Sequence, residues 1–143
     1  MNTYKIIKSL NLIAHYFSDE VTISVINEQM KKISLEPDYS ANFDVLTDLR
    51  DAKVTAEYED IEEFVNYTTY DLKVIAKRKV VFITNKPNQV AWTTLLSNAM
   101  VNSKMNIFVC STEDAAINFL QKAGFSRHDF KELIDEIKIN AAL

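Results

Sequence analysis

The residues best suited to chemistry in this 143-residue chain lie at the charged ending of an apolar run, "FDVLTDLRDA", residues 43–52. Asp48 and Arg50 are two residues apart, so on a strand their side chains point to the same side. One interpretation places them at the carboxyl edge of a sheet, where ligands of open α/β folds bind. The other is structural: the two charges pair with each other, and Asp51 caps the next turn. Both interpretations describe a recognition edge or a scaffold, and neither describes an active site.

Hydroxyl side chains should gather at the same edge, because Thr84 ends the predicted fourth strand and Ser111 and Thr112 follow the fifth. Helix starts converging there could bind an anion through free backbone N–H groups. Neighbouring carboxylates would repel a phosphate at short range, however, and ordinary N-capping is the simpler role. The candidate binding residues are therefore Asp48, Arg50, Asp51, Thr84, Ser111 and Thr112.

Histidine, cysteine and glycine are scarce. His15 and His128 have neither HxxxH nor His–Cys spacing, so the sequence predicts no metal site and no cofactor. Cys110 ends an apolar strand and is interpreted as a small hydrophobic residue. A Cys110–His nucleophile pair stays open, because such partners need not be close in sequence. Gly124 is the only glycine, which excludes glycine-rich dinucleotide and phosphate loops.

The elements that must position these residues follow from hydrophobic spacing, which alternates between two-residue and helical periods along the chain. After a hairpin with a turn near Asn11, the pattern predicts strands over residues 4–10, 12–17, 43–49, 80–84 and 105–110. Helices are predicted to begin at Thr22 or Ser24, near Tyr58, at Asn85 or Lys86, at Ser111 or Thr112, and at Ser126.

Three of these helices have further features. The second has an acidic start, an apolar stripe reaching Leu72 and Ile75, and a basic end at Lys73 and residues 77–79. The fourth should be closed by Gly124. The last is amphipathic and covers residues 126–142. This order predicts one α/β domain over residues 1–143, with a mostly parallel sheet of about five strands flanked by helices.

Composition excludes several classes of function. The formal charge of −4 and the pI near 5.2 argue against a nucleic-acid binder, and no apolar run is long enough for membrane insertion. A single cysteine fits a reducing compartment, so a cytoplasmic location is expected.

The element order, together with "FSDEVT", "EPDYSANFDVLTDLRDA" and "STEDAAINFL", resembles the small bacterial proteins related to STAS domains over residues 4–123. The STAS domain is the fold of anti-sigma-factor antagonists and of sulphate-transporter tails. The resemblance implies a mixed sheet whose first strand is antiparallel to the others. It also implies a regulatory or interaction role without an established reaction. The antagonists have a phosphorylated serine or threonine that is followed by glycine. This sequence has no such site, because Leu49 and Arg50 follow Asp48, and Thr55 is the nearby residue with a hydroxyl group.

The leading functional hypothesis is a non-enzymatic regulatory or interaction module that engages protein partners through helix faces, with a homodimer joined by the last helix as one form of it. The alternative for that helix is packing on its own sheet. The alternative is a binder of a small apolar or amphipathic ligand in a pocket between sheet and helices. A third hypothesis is a hydrolytic or transfer enzyme that uses Asp48, Arg50 and a distant histidine.

Overall fold

Within the part of the chain that the structure describes, five strands form one sheet in which neighbours follow the order of the chain, β1-β2-β3-β4-β5. The computed structural model describes residues 2–68, 77–101 and 103–142. β1 is antiparallel to β2, and all other neighbouring strands are parallel. The strands are β1 Asn2–Ile7, β2 Leu12–Thr22, β3 Asp44–Thr55, β4 Arg78–Ile83 and β5 Met105–Cys110. The predicted α/β class, with a mixed and mostly parallel sheet, is confirmed.

Helices cover both faces of the sheet. Because consecutive parallel strands are direct neighbours, right-handed crossovers place their connecting helices on one face. Helices α1 and α2 accordingly contact each other, as do α2 and α3, whereas α4 and α5 pack together on the opposite face. The described α-helices are α1 Ile23–Ser34, α2 Tyr58–Asn66, α3 Pro87–Ala99, α4 Glu113–Leu120 and α5 Arg127–Ala142.

Two hydrophobic cores result, one on each face, because alternate side chains of a strand point to opposite sides. Val45 and Leu49 of β3 lie in the α1–α3 core, and Leu46 lies in the α4–α5 core. The apolar stripe of α5 is buried in that second core and packs on the protein's own sheet, with Phe130, Leu133, Ile134 and Ile137 nearly inaccessible to solvent. The stripe is therefore not free to join two copies of the chain.

Local signals in the sequence position several turns and caps. Asn11 adopts a left-handed conformation in the predicted turn, with φ of 50°. The Thr22 hydroxyl accepts the Val25 N–H at 3.1 Å and caps α1. Pro87 occupies the first turn of α3. Ser126 and Asp129 form the predicted reciprocal capping box, with both hydrogen bonds at 3.1 Å.

The structure corrects several boundaries. The strand predicted over residues 4–10 is β1, which ends at Ile7, and a 3-10 helix, Lys8–Leu10, follows it. The strand predicted over residues 43–49 continues as β3 to Thr55, because β2 also continues and pairs with it from Ser18↔Asp51 to Thr22↔Thr55. Arg78 and Lys79, assigned to a helix end, begin β4 instead. The fourth helix ends before Gln121, which turns left-handed with φ of 52° and donates its N–H to the Ile117 carbonyl, so Gly124 does not close it.

The structure describes only the first part of the second predicted helix. Its acidic start is the beginning of α2, where Glu57 and Asp60 form a capping box. Lys73, Leu72 and Ile75 lie outside the described residues.

Candidate functional site

The candidate site is the carboxyl rim, defined as Asp48, Arg50, Asp51, Thr84, Ser111 and Thr112. It lies where β4 and β5 end, and Asp48 pairs in register with Ile83, the last residue of β4. The prediction that these residues lie together at one edge of the sheet is only partly correct. Two separate side-chain groups form, one around Asp48 and Arg50 and the other around Asp51, while the three hydroxyl residues have structural roles or face solvent.

Asp48 and Arg50 form the first group. The Arg50 Nε and Nη2 atoms donate to the two carboxylate oxygens of Asp48 at 3.0 and 2.9 Å. The Arg50 backbone N–H adds a third bond, at 3.1 Å, to Asp48 Oδ1. Arg50 Nη1 donates to Glu113 at the start of α4, at 3.3 Å. The Asp48 carboxylate is fully buried and its bidentate partner neutralises it, an arrangement suited to arginine geometry.

A β-bulge brings these two residues together. Tyr16 of β2 pairs with Asp48, but the next pair is Ser18 with Asp51, so one β2 residue faces both Leu49 and Arg50. The extra residue bends the strand and redirects its side chains. Leu49 remains in the α1–α3 core, while Arg50 points back to Asp48 on the α4–α5 side.

Asp51 belongs to a second group, with Tyr16 and Lys138. The Tyr16 hydroxyl donates to Asp51 Oδ2 at 2.6 Å, and Lys138 of α5 approaches the same oxygen at 3.4 Å. The Tyr16 hydrogen bond, with help from Lys138, lowers the pKa of Asp51 below its usual range. Burial and the same hydrogen bond raise the pKa of Tyr16. Asp51 sits within β3, so its predicted role as the cap of a following turn is wrong.

The hydroxyl residues have simpler roles. Thr84 is buried, and its hydroxyl donates to the Cys110 carbonyl at 3.2 Å. Thr112 accepts the Ala115 N–H at 3.2 Å, which is the predicted N-cap of α4. Ser111 is exposed at the side of an open depression of about 510 Å³ whose other lining residues are Thr84, Asn85, Lys86, Pro87, Val90 and Ala91.

Lys86 links this depression to the first group. Its Nζ donates to the Arg50 backbone carbonyl at 2.7 Å while the side chain remains exposed. It is the cation beside a depression that is otherwise largely apolar.

Cys110 and the histidines do not form a nucleophile–base set in the described residues. The Cys110 thiol donates to the Thr112 carbonyl at 3.6 Å, and burial raises its pKa. It packs on the α4–α5 side of the sheet, whereas the His15 ring stacks on Phe17, which belongs to the α1–α3 core. His128 is exposed on α5 and contacts Glu132 at 3.0 Å.

A buried polar cluster toward the amino ends of the parallel strands, away from the rim, was missed by sequence reasoning. Arg78 is inaccessible to solvent, donates through Nε to the Phe43 carbonyl, and lies over the Tyr39 ring at 5.7 Å. His15, also buried, has its Nδ1 3.2 Å from Gln29 Nε2. Burial, reinforced by the charge of Arg78, lowers the pKa of His15 to about 3. The only available signal was the alternation in "RKVVFI", which puts Arg78 on the same face as Val80 and Phe82.

The space between the sheet and the α1–α2 layer is small among the described residues. An enclosed gap lined by His15, Met30, Phe64, Val80 and their neighbours measures about 10 Å³. A gap of that size holds about one water molecule at most, and a ligand pocket is usually far larger.

Within the described residues, no three histidine, cysteine, aspartate or glutamate side chains converge in a way that could hold a metal ion. None of the described helices has the length and apolar character needed to cross a membrane. No protein-family model matches the chain, and no curated protein matches its sequence.

Proposed function

We propose that the chain is a non-enzymatic regulatory or protein-interaction module of the STAS-like type, acting in the cytoplasm, and that it receives a partner protein at the carboxyl rim. The supporting observation is that Arg50 and Asp51 of the rim, and the neighbouring Tyr16 and Cys110, are stabilised in their ordinary charge states. Arg50 is paired with Asp48, and that hydrogen bond raises its pKa. The pKa of Asp51 is lowered, and those of Tyr16 and Cys110 are raised.

A catalytic acid or base needs a pKa near the working pH, and a nucleophilic cysteine needs a lowered one. The pKa of each of these four groups is instead shifted away from neutral pH, in the direction that fixes its charge. Such a site suits recognition by shape and fixed charge better than proton transfer.

The depression beside the rim adds a second argument. It is open, and it combines the apolar side chains of Pro87, Val90 and Ala91 with the exposed cation of Lys86. An apolar patch with charge at its margin is the usual composition of a protein-binding surface. The small enclosed gap behind the sheet gives less support to the alternative, a binder of a small apolar ligand.

Affinity capture from the native cell tests this function. The wild-type chain and the Lys86→Glu variant are used as baits, with Lys8→Glu as the matched control, because Lys8 is an exposed lysine preceding β2 at the opposite end of the strands. A specific protein should be retained by the wild type and by Lys8→Glu and lost by Lys86→Glu. Equal capture by all three baits, or no specific protein at all, would reject the rim as the docking site.

A further inference from the structure

We propose that β5 is the interface of a homodimer, in which the β5 strands of two copies pair antiparallel about a two-fold axis and join their sheets edge to edge. This interface is the outer edge of β5, a different surface from the carboxyl rim, so it goes beyond the function proposed above.

The backbone of β5 presents hydrogen-bonding groups outward. The Arg78 N–H donates to the Lys104 carbonyl and the Thr84 N–H to the Cys110 carbonyl, both at 2.9 Å. Even-numbered residues from 104 to 110 therefore direct their backbone groups toward β4, and Met105, Ile107 and Val109 direct theirs away from it.

Some of these outward groups have local partners. The Ser103 hydroxyl bonds both backbone groups of Met105, and the Ser97 hydroxyl lies 3.4 Å from the Ile107 carbonyl oxygen. Across the described ranges, no hydrogen bond reaches the Ile107 N–H or either backbone group of Val109. Those groups can bond a further strand.

The side chains of β5 contain none of the usual protections of an edge. Its sequence, "MNIFVC", has no charge and no proline, and its pairing with β4 runs without a bulge. Edge strands normally have such features because an unprotected edge pairs with other strands. The opposite edge is protected: β1 carries Lys5, which binds Glu136 at 2.9 Å, and α5 packs against it.

In the proposed register the two-fold axis passes beside Ile107, so Ile107 faces Ile107 of the second copy and Met105 faces Val109. The Ile107 and Val109 N–H groups of each copy then donate to the Ile107 and Met105 carbonyls of the other, and the Met105 N–H exchanges its bond to Ser103 for the Val109 carbonyl. In this register Lys104 lies opposite Cys110 of the other copy, on the side of the acidic first turn of α4, where Glu113 also pairs with Arg50 and Asp114 with Arg127. In-register parallel pairing would instead set Lys104 beside Lys104, so charge favours the antiparallel arrangement.

Apolar side chains flank the new junction on both faces. On one side Leu95 of α3 is 44% exposed, and Trp92 and Ile107 are half-buried. On the other side Phe108 stacks on Phe119 with ring centroids 4.8 Å apart. Pairing covers these residues and leaves only the two protected β1 edges outside. The assembly therefore closes at two copies.

Light scattering of the full-length protein tests the dimer. The expected mass is twice the 16.4 kDa of one chain. Ile107→Lys places two ammonium groups together on the axis and should return the mass to that of one chain. Ile139→Lys, an equal change at an exposed position of α5, should leave the dimer intact.

Val109→Pro is the second variant, because it removes an outward N–H without breaking a bond to β4. It should also halve the mass, and it decides the question if Ile107→Lys fails to fold. Hydrogen exchange of the wild type needs no substitution: the Ile107 and Val109 amides should exchange more slowly as the protein concentration rises. A single-chain mass for the wild type, fast exchange of these amides at every concentration, or a dimer lost in Ile139→Lys and kept in the folded β5 variants would overturn the proposal.

Discussion

The Arg50 guanidinium binds the Asp48 carboxylate through two parallel hydrogen bonds, although the two residues are only two positions apart on the same strand. The Asp48 side chain has no exposed surface, while that of Arg50 is 21% exposed. Arg50 therefore performs two tasks. It neutralises a buried charge, and it offers its outer edge to the rim together with Glu113.

Arg50→Ala should be strongly destabilising, because it leaves the Asp48 carboxylate buried without a counter-charge. Removing one partner of a buried pair costs about 3–5 kcal/mol. Since Arg50 is partly exposed, we expect about 3 kcal/mol in the free energy of unfolding, measured by urea denaturation. Asp48→Asn in the same chain should recover part of the loss.

Lys53→Ala is the matched control for this experiment. Lys53 lies on the same strand, is well exposed, and contacts Glu20 at 3.8 Å. Its removal should change stability by less than about 0.5 kcal/mol. If Arg50→Ala is as mild as the control, then Arg50 is not part of the scaffold and serves recognition alone.

Tyr16→Phe should raise the pKa of Asp51 toward its ordinary value, because the 2.6 Å hydrogen bond from the Tyr16 hydroxyl is the main cause of the lowering. A carbon-13 NMR titration of the Asp51 carboxyl group measures this directly. Tyr4→Phe is the control, since the Tyr4 hydroxyl donates to Glu36 and leaves Asp51 untouched. An unchanged Asp51 titration in Tyr16→Phe would assign the lowering to Lys138 instead.

The layered fold could be predicted because hydrophobic spacing records which face of each element is buried. The continuous apolar run "VVFI" of β4 and the helical stripe at Phe130, Leu133 and Ile137 both reflect burial directly. Caps could be predicted for a similar reason: Thr22 and Thr112 act on N–H groups only three residues away.

The details of the rim could not be predicted, because they depend on contacts between distant parts of the chain. The bulge at Leu49 and Arg50 is visible only from the register with β2, and the extension of β3 depends on an equally long β2. Arg78 was predicted to lie at the end of a helix, because the local sequence does not show which groups bind a buried arginine. Its partners are the carbonyl groups of Phe43 and Ser40, which belong to a distant loop.

His15 should make stability fall in mild acid. The unfolded chain protonates this histidine near pH 6.5, whereas burial and Arg78 lower its folded pKa to about 3. Between these values the unfolded state binds more protons, so the free energy of unfolding falls as the pH decreases through that window. The slope contributed by one such group is at most about 1.4 kcal/mol per pH unit.

Urea denaturation over this pH range measures the slope for the wild type and for His15→Leu, which should lose the His15 contribution. His128→Gln, which removes the exposed histidine of α5, is measured alongside as the matched control. Equal slopes for the wild type and His15→Leu would show that His15 is accessible to protons in the folded state.

Removing α5 should abolish cooperative folding and not merely alter assembly. Phe130, Leu133, Ile134 and Ile137 are buried against the sheet, and burying each such side chain contributes about 1.5–3 kcal/mol. Their sum is comparable to the whole stability of a domain, about 5–15 kcal/mol. A chain ending at Gly124 should therefore show no cooperative transition in a thermal melt followed by circular dichroism.

Two point substitutions on α5 check the same argument without truncation. Ile137→Ala empties a buried position and should cost about 2–5 kcal/mol, whereas Ile139→Ala, at a side chain 62% exposed, should cost less than about 0.5 kcal/mol. If the shortened chain melts cooperatively at the wild-type midpoint, α5 is an appendage and its stripe is free for another partner. If it does not, the mass of the shortened chain says nothing about the dimer, and the β5 variants remain the proper test.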